Sequence, residues 1–320
     1  MNARVHGGPG SDGAARFDFS TNANACGPCP QALAAVQAAD GTRYPDPAAT
    51  RLRAALAAFH GVAVERIVPA ASASEFIFRI TAWAARGGVR QVALPAHAYG
   101  DYAHAAAAWG LAIAQEAELA WACEPSSPLG QAERPLQECI AAGATVVLDR
   151  AYEPLRLSGA CSLHDASLER VWQLWSPNKA LGVTGVRGAY AIAPATGAAA
   201  AEELEALAPS WPLGAHGMAM LLAWCEEGVQ QWVQDSRATL RSWKSRQQAL
   251  CRDLGWRVEP SDANFFVASA PTLVDALPRL RRHGVQLRDC ASFGLPGHVR
   301  LGVQTPEAQD ALARAWQELA

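Results

Sequence analysis

The sequence predicts an α/β protein built on a mixed, mostly parallel sheet, with a smaller α+β unit at its C-terminal end. Three observations lead there. Short, wholly apolar runs such as Val146-Val147-Leu148 read as strands buried on both faces. Such runs alternate with stretches of helical periodicity, the pattern of a sheet covered by helices. Around residues 209–212 the alternation stops, and a long helical region leads into a second, shorter set of strands and helices.

Residues 1–45 are rich in Gly, Asn and Pro, show little periodicity and read as an extended arm. Over 47–59, Leu52, Leu56 and Phe59 share one helical face, and Gly61 ends the helix. A strand over 66–69 and a helix over 74–86 follow, then a strand over 91–94, a helix over 102–110 and a strand over 144–148. Strands over 171–175 and 190–193 continue the series. The helical region 214–254 carries Val229, Trp232, Ser236 and Leu240 on one stripe. Beyond it lie strands over 265–268, 286–287 and 299–303, with helices over 273–282 and 306–319. The expected organisation is an arm (1–45) packing with the small domain, a large domain (46–208) and a small C-terminal domain (209–320).

Composition narrows the function. With 320 residues, 50% of them apolar and 18% charged, the chain has the profile of a globular enzyme with a sizeable core. A net charge of -3 without runs of like charge argues against nucleic acid as a partner. The first residues lack an apolar signal core, and no stretch approaches the roughly 18–20 apolar residues of a membrane span, so a cytoplasmic protein is expected. The eight cysteines are scattered, which fits reduced thiols. Cys26 and Cys29 form a CxxC, but no second ligand pair follows at zinc spacing, so no metal site is expected.

Only two lysines occur, Lys179 and Lys244, and one of them is informative. Lys179 sits in Trp175-Ser176-Pro-Asn-Lys179-Ala-Leu-Gly182-Val-Thr-Gly185-Val-Arg187-Gly188. An ammonium in an apolar, glycine-rich loop is unfavourable. A desolvated lysine sheds its proton more readily and becomes a Schiff-base nucleophile. Ser176 and Arg187 flank it, and a hydroxyl, a guanidinium and backbone N–H groups are what a phosphate monoester needs. An exposed loop lysine is the competing reading of this segment alone. A dinucleotide fingerprint fits worse, since the glycine spacing differs from GxGxxG.

The second piece is Val146-Val-Leu-Asp149-Arg-Ala-Tyr152. An acid at the carboxyl end of a buried strand stands where α/β sheets bind ligands. Such a carboxylate can pair with a protonated pyridine nitrogen, and Tyr152 on the next turn can hydrogen-bond a phenolic oxygen. Asp149 as a simple chain-turning residue remains the alternative.

Together, the Asp149-x-x-Tyr152 and Ser176-x-x-Lys179…Arg187 segments resemble the cofactor motifs of the fold-type-I aminotransferases, and the likeness spans essentially the whole chain. It implies an aminotransferase-like large domain, pyridoxal 5'-phosphate as cofactor and a homodimer. Arg43-Tyr44-Pro-Asp-Pro is similar to a family segment whose tyrosine reaches the partner subunit's cofactor phosphate, a role the resemblance gives to Tyr44. It likewise implies phosphate binding by Ser72, Ala73 and Ser74 at a strand-to-helix turn, and ring stacking by Tyr99. Asp262-Ala-Asn264-Phe265 and Val299-Arg300-Leu-Gly match two small-domain motifs, and the second implies that Arg300 grips a substrate carboxylate. One position departs: where the family has an asparagine on the ring oxygen, Glu124-Pro-Ser-Ser127-Pro-Leu-Gly130 offers Ser127, with a shorter reach.

Within that superfamily His6-Gly7-Gly8 and Asp18-Phe19-Ser20-Thr-Asn22-Ala-Asn24 look most like the threonine-phosphate decarboxylase branch of cobalamin synthesis, a relative of histidinol-phosphate aminotransferase. That likeness implies substrate contacts from His6, Asn22, Arg288 and Arg300, and a phosphorylated amino acid as partner molecule. Bidentate arginines suit both anionic groups of such a substrate. The expectation is therefore decarboxylation of L-threonine O-3-phosphate. The alternatives are amino transfer on a phosphorylated substrate such as histidinol phosphate, and a cofactor-binding relative without activity.

Overall fold

The computed structural model describes residues 7–132 and 136–319. Its main sheet has seven strands, in the order Ile67–Ala70, Ala189–Ile192, Trp172–Trp175, Thr145–Asp149, Leu119–Cys123, Gln91–Ala93 and Ala112–Ala114. Ala189–Ile192 runs antiparallel to both its neighbours, and the other pairings are parallel. The mixed, mostly parallel sheet is as expected.

Thr145–Asp149 shows why the apolar runs become strands. Val147 packs with Phe76, Ile77 and Tyr102 on one face. Val146 and Leu148 pack with Leu136, Ile140 and Leu163 on the other. Successive side chains point to opposite faces, so a strand covered on both sides must be apolar throughout. Each such side chain contributes about 1.5–3 kcal/mol by leaving water.

The same topology gathers chemistry. Four strands (Ile67–Ala70, Leu119–Cys123, Thr145–Asp149 and Trp172–Trp175) end on one edge of the sheet. Ser72, Ser127, Asp149 and Ser176 lie at or just beyond those ends, the usual ligand position in α/β sheets. Helix Ala73–Arg86 starts there. Ser72 accepts a hydrogen bond from the Glu75 N–H at 3.1 Å, and Glu75 Oε2 accepts from the Ala71 N–H at 3.1 Å. This reciprocal cap fixes the first turn and the amides it presents.

A four-stranded antiparallel sheet follows, in the order Arg288–Asp289, His298–Gly302, Phe265–Ser269 and Arg257–Val258. Its register pairs Arg288 directly with Arg300. Like charges face to face across a ladder are unfavourable unless something anionic comes between them.

Several expectations need correction. The arm is not extended throughout. Phe17–Asp18 pairs in parallel with Val285–Gln286, and Pro30–Gln37 is a helix. Pro30 occupies the first helical turn, where its missing N–H is harmless, and Ala32 and Val36 are buried. The region 214–254 is two helices, Ala215–Trp224 and Glu227–Asp253. The strand expected over 286–287 is two short ones, Val285–Gln286 and Arg288–Asp289, which join different sheets. Among the described residues no helix is long and apolar enough to cross a membrane, and no cluster of His, Cys, Asp and Glu could hold a metal ion.

Candidate active site

A cavity of about 1060 Å³ opens between the carboxyl edge of the main sheet and the small sheet. Its walls include Lys179, Asp149, Tyr152, Tyr99, Arg288 and Arg300, drawn from distant parts of the sequence.

Lys179 follows strand Trp172–Trp175 in a tightly pinned loop. Its carbonyl accepts from the Asn24 N–H at 2.9 Å, and the Val183 N–H donates to the Asn178 carbonyl at 2.9 Å. Gly182, at φ 68°, lies against the arm so closely that a Cβ there would stand 2.5 Å from the Gly27 carbonyl oxygen. Only glycine suits both the angle and the approach. The loop thus holds Lys179 Nζ 5.3 Å from the Tyr152 ring centroid, inside the cavity. The other lysine is occupied elsewhere. Lys244 is buried and donates to the carbonyls of Ser261 and Ala263, the latter at 2.7 Å. Burial pushes its pKa down to about 8.

Asp149 is buried at the end of its strand. Oδ1 accepts from the Ala151 N–H at 2.9 Å and Oδ2 from the Tyr102 hydroxyl at 2.8 Å. Burial raises its pKa, while both donors and the Lys179 charge pull the other way. Asn22 Nδ2 donates to the Tyr152 hydroxyl oxygen at 3.3 Å, so the Tyr152 proton can turn toward a ligand. Ser74 Oγ and the Tyr99 hydroxyl lie 3.2 Å apart, and burial raises the Tyr99 pKa.

The second wall belongs to the arginines. Arg300 Nη1 donates to Ser127 Oγ at 3.0 Å and Nη2 to the Ser20 carbonyl at 2.9 Å. Arg288 Nη2 donates to Ser292 Oγ at 2.7 Å. Both guanidinium carbons lie over Phe293, at 5.0 and 5.6 Å from its centroid. Burial first, then the Arg300 charge, lowers the Arg288 pKa.

Of the residues singled out in the sequence, Asn22, Ser72, Ala73, Ser74, Tyr99, Ser127, Asp149, Tyr152, Ser176, Lys179, Arg187, Arg288 and Arg300 all line this one cavity. Arg187 does so from an exposed position. Tyr44 does not: it is 80% exposed and stacks on Trp211, with ring centroids 4.5 Å apart. His6 lies outside the described residues. Tyr102 also lines the cavity and its hydroxyl reaches Asp149, a contact that no motif of the sequence signals. Tyr99 is the N-cap of helix Gly100–Ala108 and Tyr102 lies in its first turn, with the two rings edge to face and their centroids 5.8 Å apart.

The donor set fits pyridoxal phosphate. The side-chain hydroxyl of Ser176 and the Oδ1 of Asn178 are buried, and neither has a hydrogen-bond partner. Such groups call for a ligand. Ser176 would join the capped turn at Ser72–Ser74 and Arg187 in a phosphate cradle, with Asp149 for a ring nitrogen and Lys179 for an aldehyde carbon.

Comparisons with known proteins agree. The family model "Aminotransferase class I and II" matches residues 112–315, more than half of the chain. Histidinol-phosphate aminotransferase 1 of Bradyrhizobium diazoefficiens is 30% identical, over 97% of this chain and 94% of that protein. Histidinol-phosphate aminotransferase of Symbiobacterium thermophilum is 29% identical, over 90% of this chain and 86% of that protein. Among solved structures, histidinol-phosphate aminotransferase from Sinorhizobium meliloti in complex with pyridoxal-5'-phosphate superposes with a TM-score of 0.78 at 19% identity, covering 94% of this chain and 90% of that one. L-threonine-O-3-phosphate decarboxylase from Porphyromonas gingivalis superposes with a TM-score of 0.77 at 19% identity, over 94% of this chain and 98% of that one. The two structures share the fold. This chain belongs to the class I and II aminotransferase family, the fold-type-I group of pyridoxal-phosphate enzymes.

Proposed function

We propose that this protein transfers the amino group of a phosphorylated amino substrate, of the histidinol-phosphate kind, to an oxo-acid. The observation that carries the proposal is the Arg288 and Arg300 pair, cross-strand neighbours buried in the wall of the Lys179 cavity. Two guanidiniums so close are stabilised by a dianion or by two anionic groups. Amino transfer presents a phosphate in one half-reaction and carboxylates in the other. The names of the similar relatives favour it over the decarboxylation expected from the arm motif.

When bound, the cofactor supplies the electron sink that lets a bond at the substrate α-carbon break. Asp149 holds a proton at the ring nitrogen. Tyr152 and Ser127 donate toward the ring oxygen, and Tyr99 covers the ring face. Ser72, Ala73, Ser74, Ser176 and Arg187 hold the phosphate, and Tyr44 of a partner subunit completes the cradle in a homodimer. Arg300, with Arg288 and Asn22, orients the anionic substrate. Lys179 Nζ takes and returns the proton at the substrate α-carbon. In this reading residues 46–208 form the cofactor-binding domain and 209–320 the smaller domain, with the 1–45 arm packed on the latter. Eight free cysteines suit a reducing cytoplasm.

Decarboxylation of L-threonine O-3-phosphate is the second reading, favoured by the seating of the arm. Gly7 and Ser20 line the cavity, the Gly8 N–H donates to Ser20 Oγ at 2.8 Å, and Gln286 Nε2 donates to the Gly8 carbonyl at 2.6 Å. A relative without activity fits poorly with the retained Lys179, Asp149 and Arg300. The test gives the holoenzyme histidinol phosphate with 2-oxoglutarate, or threonine phosphate alone, and follows glutamate and carbon dioxide. Glutamate formation without carbon dioxide is expected. Carbon dioxide from threonine phosphate without an oxo-acid would select the second reading, and turnover of neither would overturn both.

A further inference from the structure

We propose that Tyr102 is a positioning residue that keeps Asp149 ionised and aimed, and so sets how firmly the cofactor's ring nitrogen holds its proton. The proposal rests on the reading of Asp149 as that nitrogen's partner and adds a residue to it.

Tyr102 is fully buried on helix Gly100–Ala108, and its hydroxyl donates to Asp149 Oδ2 at 2.8 Å. Its ring lies flat against Trp121, with centroids 4.5 Å apart and planes 13° from parallel. Trp121 is on the strand next to Asp149, and the register pairs Cys123 with Asp149. The phenol is therefore clamped by the same sheet that carries the acid. Nothing in a sheet core demands a hydroxyl there. A phenylalanine would fill the same apolar space among Phe76, Val147 and Trp121. A buried tyrosine whose oxygen meets one carboxylate oxygen, while the Ala151 N–H meets the other, matches what a buried carboxylate needs to remain charged.

The physical consequence has a definite sign. Burial raises the Asp149 pKa, and the Tyr102 hydrogen bond is among the contacts that lower it. The Tyr102 proton itself stays in place, because burial first and the Asp149 charge next raise its pKa well above the ordinary phenol value. Remove the hydroxyl and the carboxylate becomes the stronger base. The shared proton then moves from the ring nitrogen toward Asp149, and the electron sink weakens.

The test uses holoenzyme loaded with cofactor carrying 15N at the ring nitrogen, whose chemical shift separates the protonated from the unprotonated ring. Wild type is expected at the protonated position and Tyr102→Phe shifted toward the unprotonated one. Turnover should fall about ten- to a hundred-fold, the usual effect of one hydrogen bond to a charged group, with KM little changed. Tyr102→His, which keeps a ring N–H donor, should recover part of the shift. If Tyr102→Phe does not fold, 4-fluorophenylalanine at position 102 fills the hydroxyl's space without donating and should give the same displacement. A folded, cofactor-loaded variant with an unmoved nitrogen resonance would overturn the proposal and leave Asp149 in its role. A wild-type resonance at the unprotonated position, unchanged in Asp149→Asn, would overturn the Asp149 reading and this proposal with it.

Discussion

Arg300→Lys isolates the geometry of the anion site from its charge. Arg300 is buried, and its fork divides between Ser127 Oγ at 3.0 Å and the Ser20 carbonyl at 2.9 Å, while Nε is buried without a hydrogen-bond partner. The side chain is thus held in place by protein at two nitrogens and keeps a donor in reserve. Lysine retains the positive charge but cannot span both acceptors and a substrate oxygen together. Losing one charge-assisted hydrogen bond removes about 1.5–3 kcal/mol, or roughly ten- to a hundred-fold in affinity. KM for the phosphorylated substrate should rise by that factor while kcat changes less. Steady-state kinetics give the split, and calorimetric titration with inorganic phosphate gives the binding loss without turnover. Fold is checked by thermal melting. An unchanged KM and an unchanged phosphate affinity in a folded variant would refute the assignment of Arg300 to the substrate anion.

His60 makes the fold sensitive to acid. The Trp224 indole donates to the Tyr190 oxygen at 3.1 Å, and the Tyr190 hydroxyl stands 2.7 Å from His60 Nε2, where a neutral imidazole can accept its proton. Burial, with the Arg150 charge second, pushes the His60 pKa down to about 4. The unfolded chain takes up this proton near pH 6.5 and the folded one only near pH 4. Stability from this group is therefore full above about pH 6.5 and is lost as the pH falls toward 4, on the order of 3 kcal/mol. Denaturant melts of wild type and His60→Gln between pH 4 and 7 check this: the variant should show a shallower decline, and parallel curves would remove His60 from the account. Tyr44 should act across a dimer. Equal mixing of inactive Lys179→Ala and Tyr44→Ala chains, with exchange of subunits, should restore roughly a quarter of wild-type turnover through hybrids with one intact site. A fully active monomer in sedimentation would contradict shared sites.

Much of the fold was legible because its strands are buried on both faces. Thr145–Asp149, Trp172–Trp175 and Ala189–Ile192 announce themselves as short apolar runs between helical stretches. Helix Leu273–Arg282 matched the reading residue for residue despite Pro278 within it. Leu119–Cys123 carries no such signal although it is fully buried at the heart of the sheet. Its Leu-Ala-Trp-Ala-Cys sequence has no β-branched residue, so local preference said little and only tertiary packing makes it a strand. The break at residues 225–226 was equally silent, since neither Gly nor Pro marks it.

The site was legible through joint motifs, and what stayed hidden was contact across the sequence. The spacing of Asp149 and Tyr152, and of Ser176 and Lys179, pointed to one cofactor. No periodicity could announce that Asn22 meets Tyr152 or that Arg300 grips the Ser20 carbonyl, because those pairs are 130 and 280 residues apart. The cross-strand pairing of Arg288 with Arg300 likewise depends on a register that short strands leave open.

The central claim is that Lys179 carries the cofactor, and borohydride reduction tests it most directly. The holoprotein should absorb visible light, lose that band on reduction, and yield one peptide bearing the fixed cofactor, with the mass increment on Lys179. Lys179→Ala should remain folded and give no fixed adduct. Lys244, the only other lysine, is held by the carbonyls of Ser261 and Ala263 and does not line the cavity. A fixed cofactor mapped to Lys244, or none in a protein saturated with pyridoxal phosphate, would contradict the account.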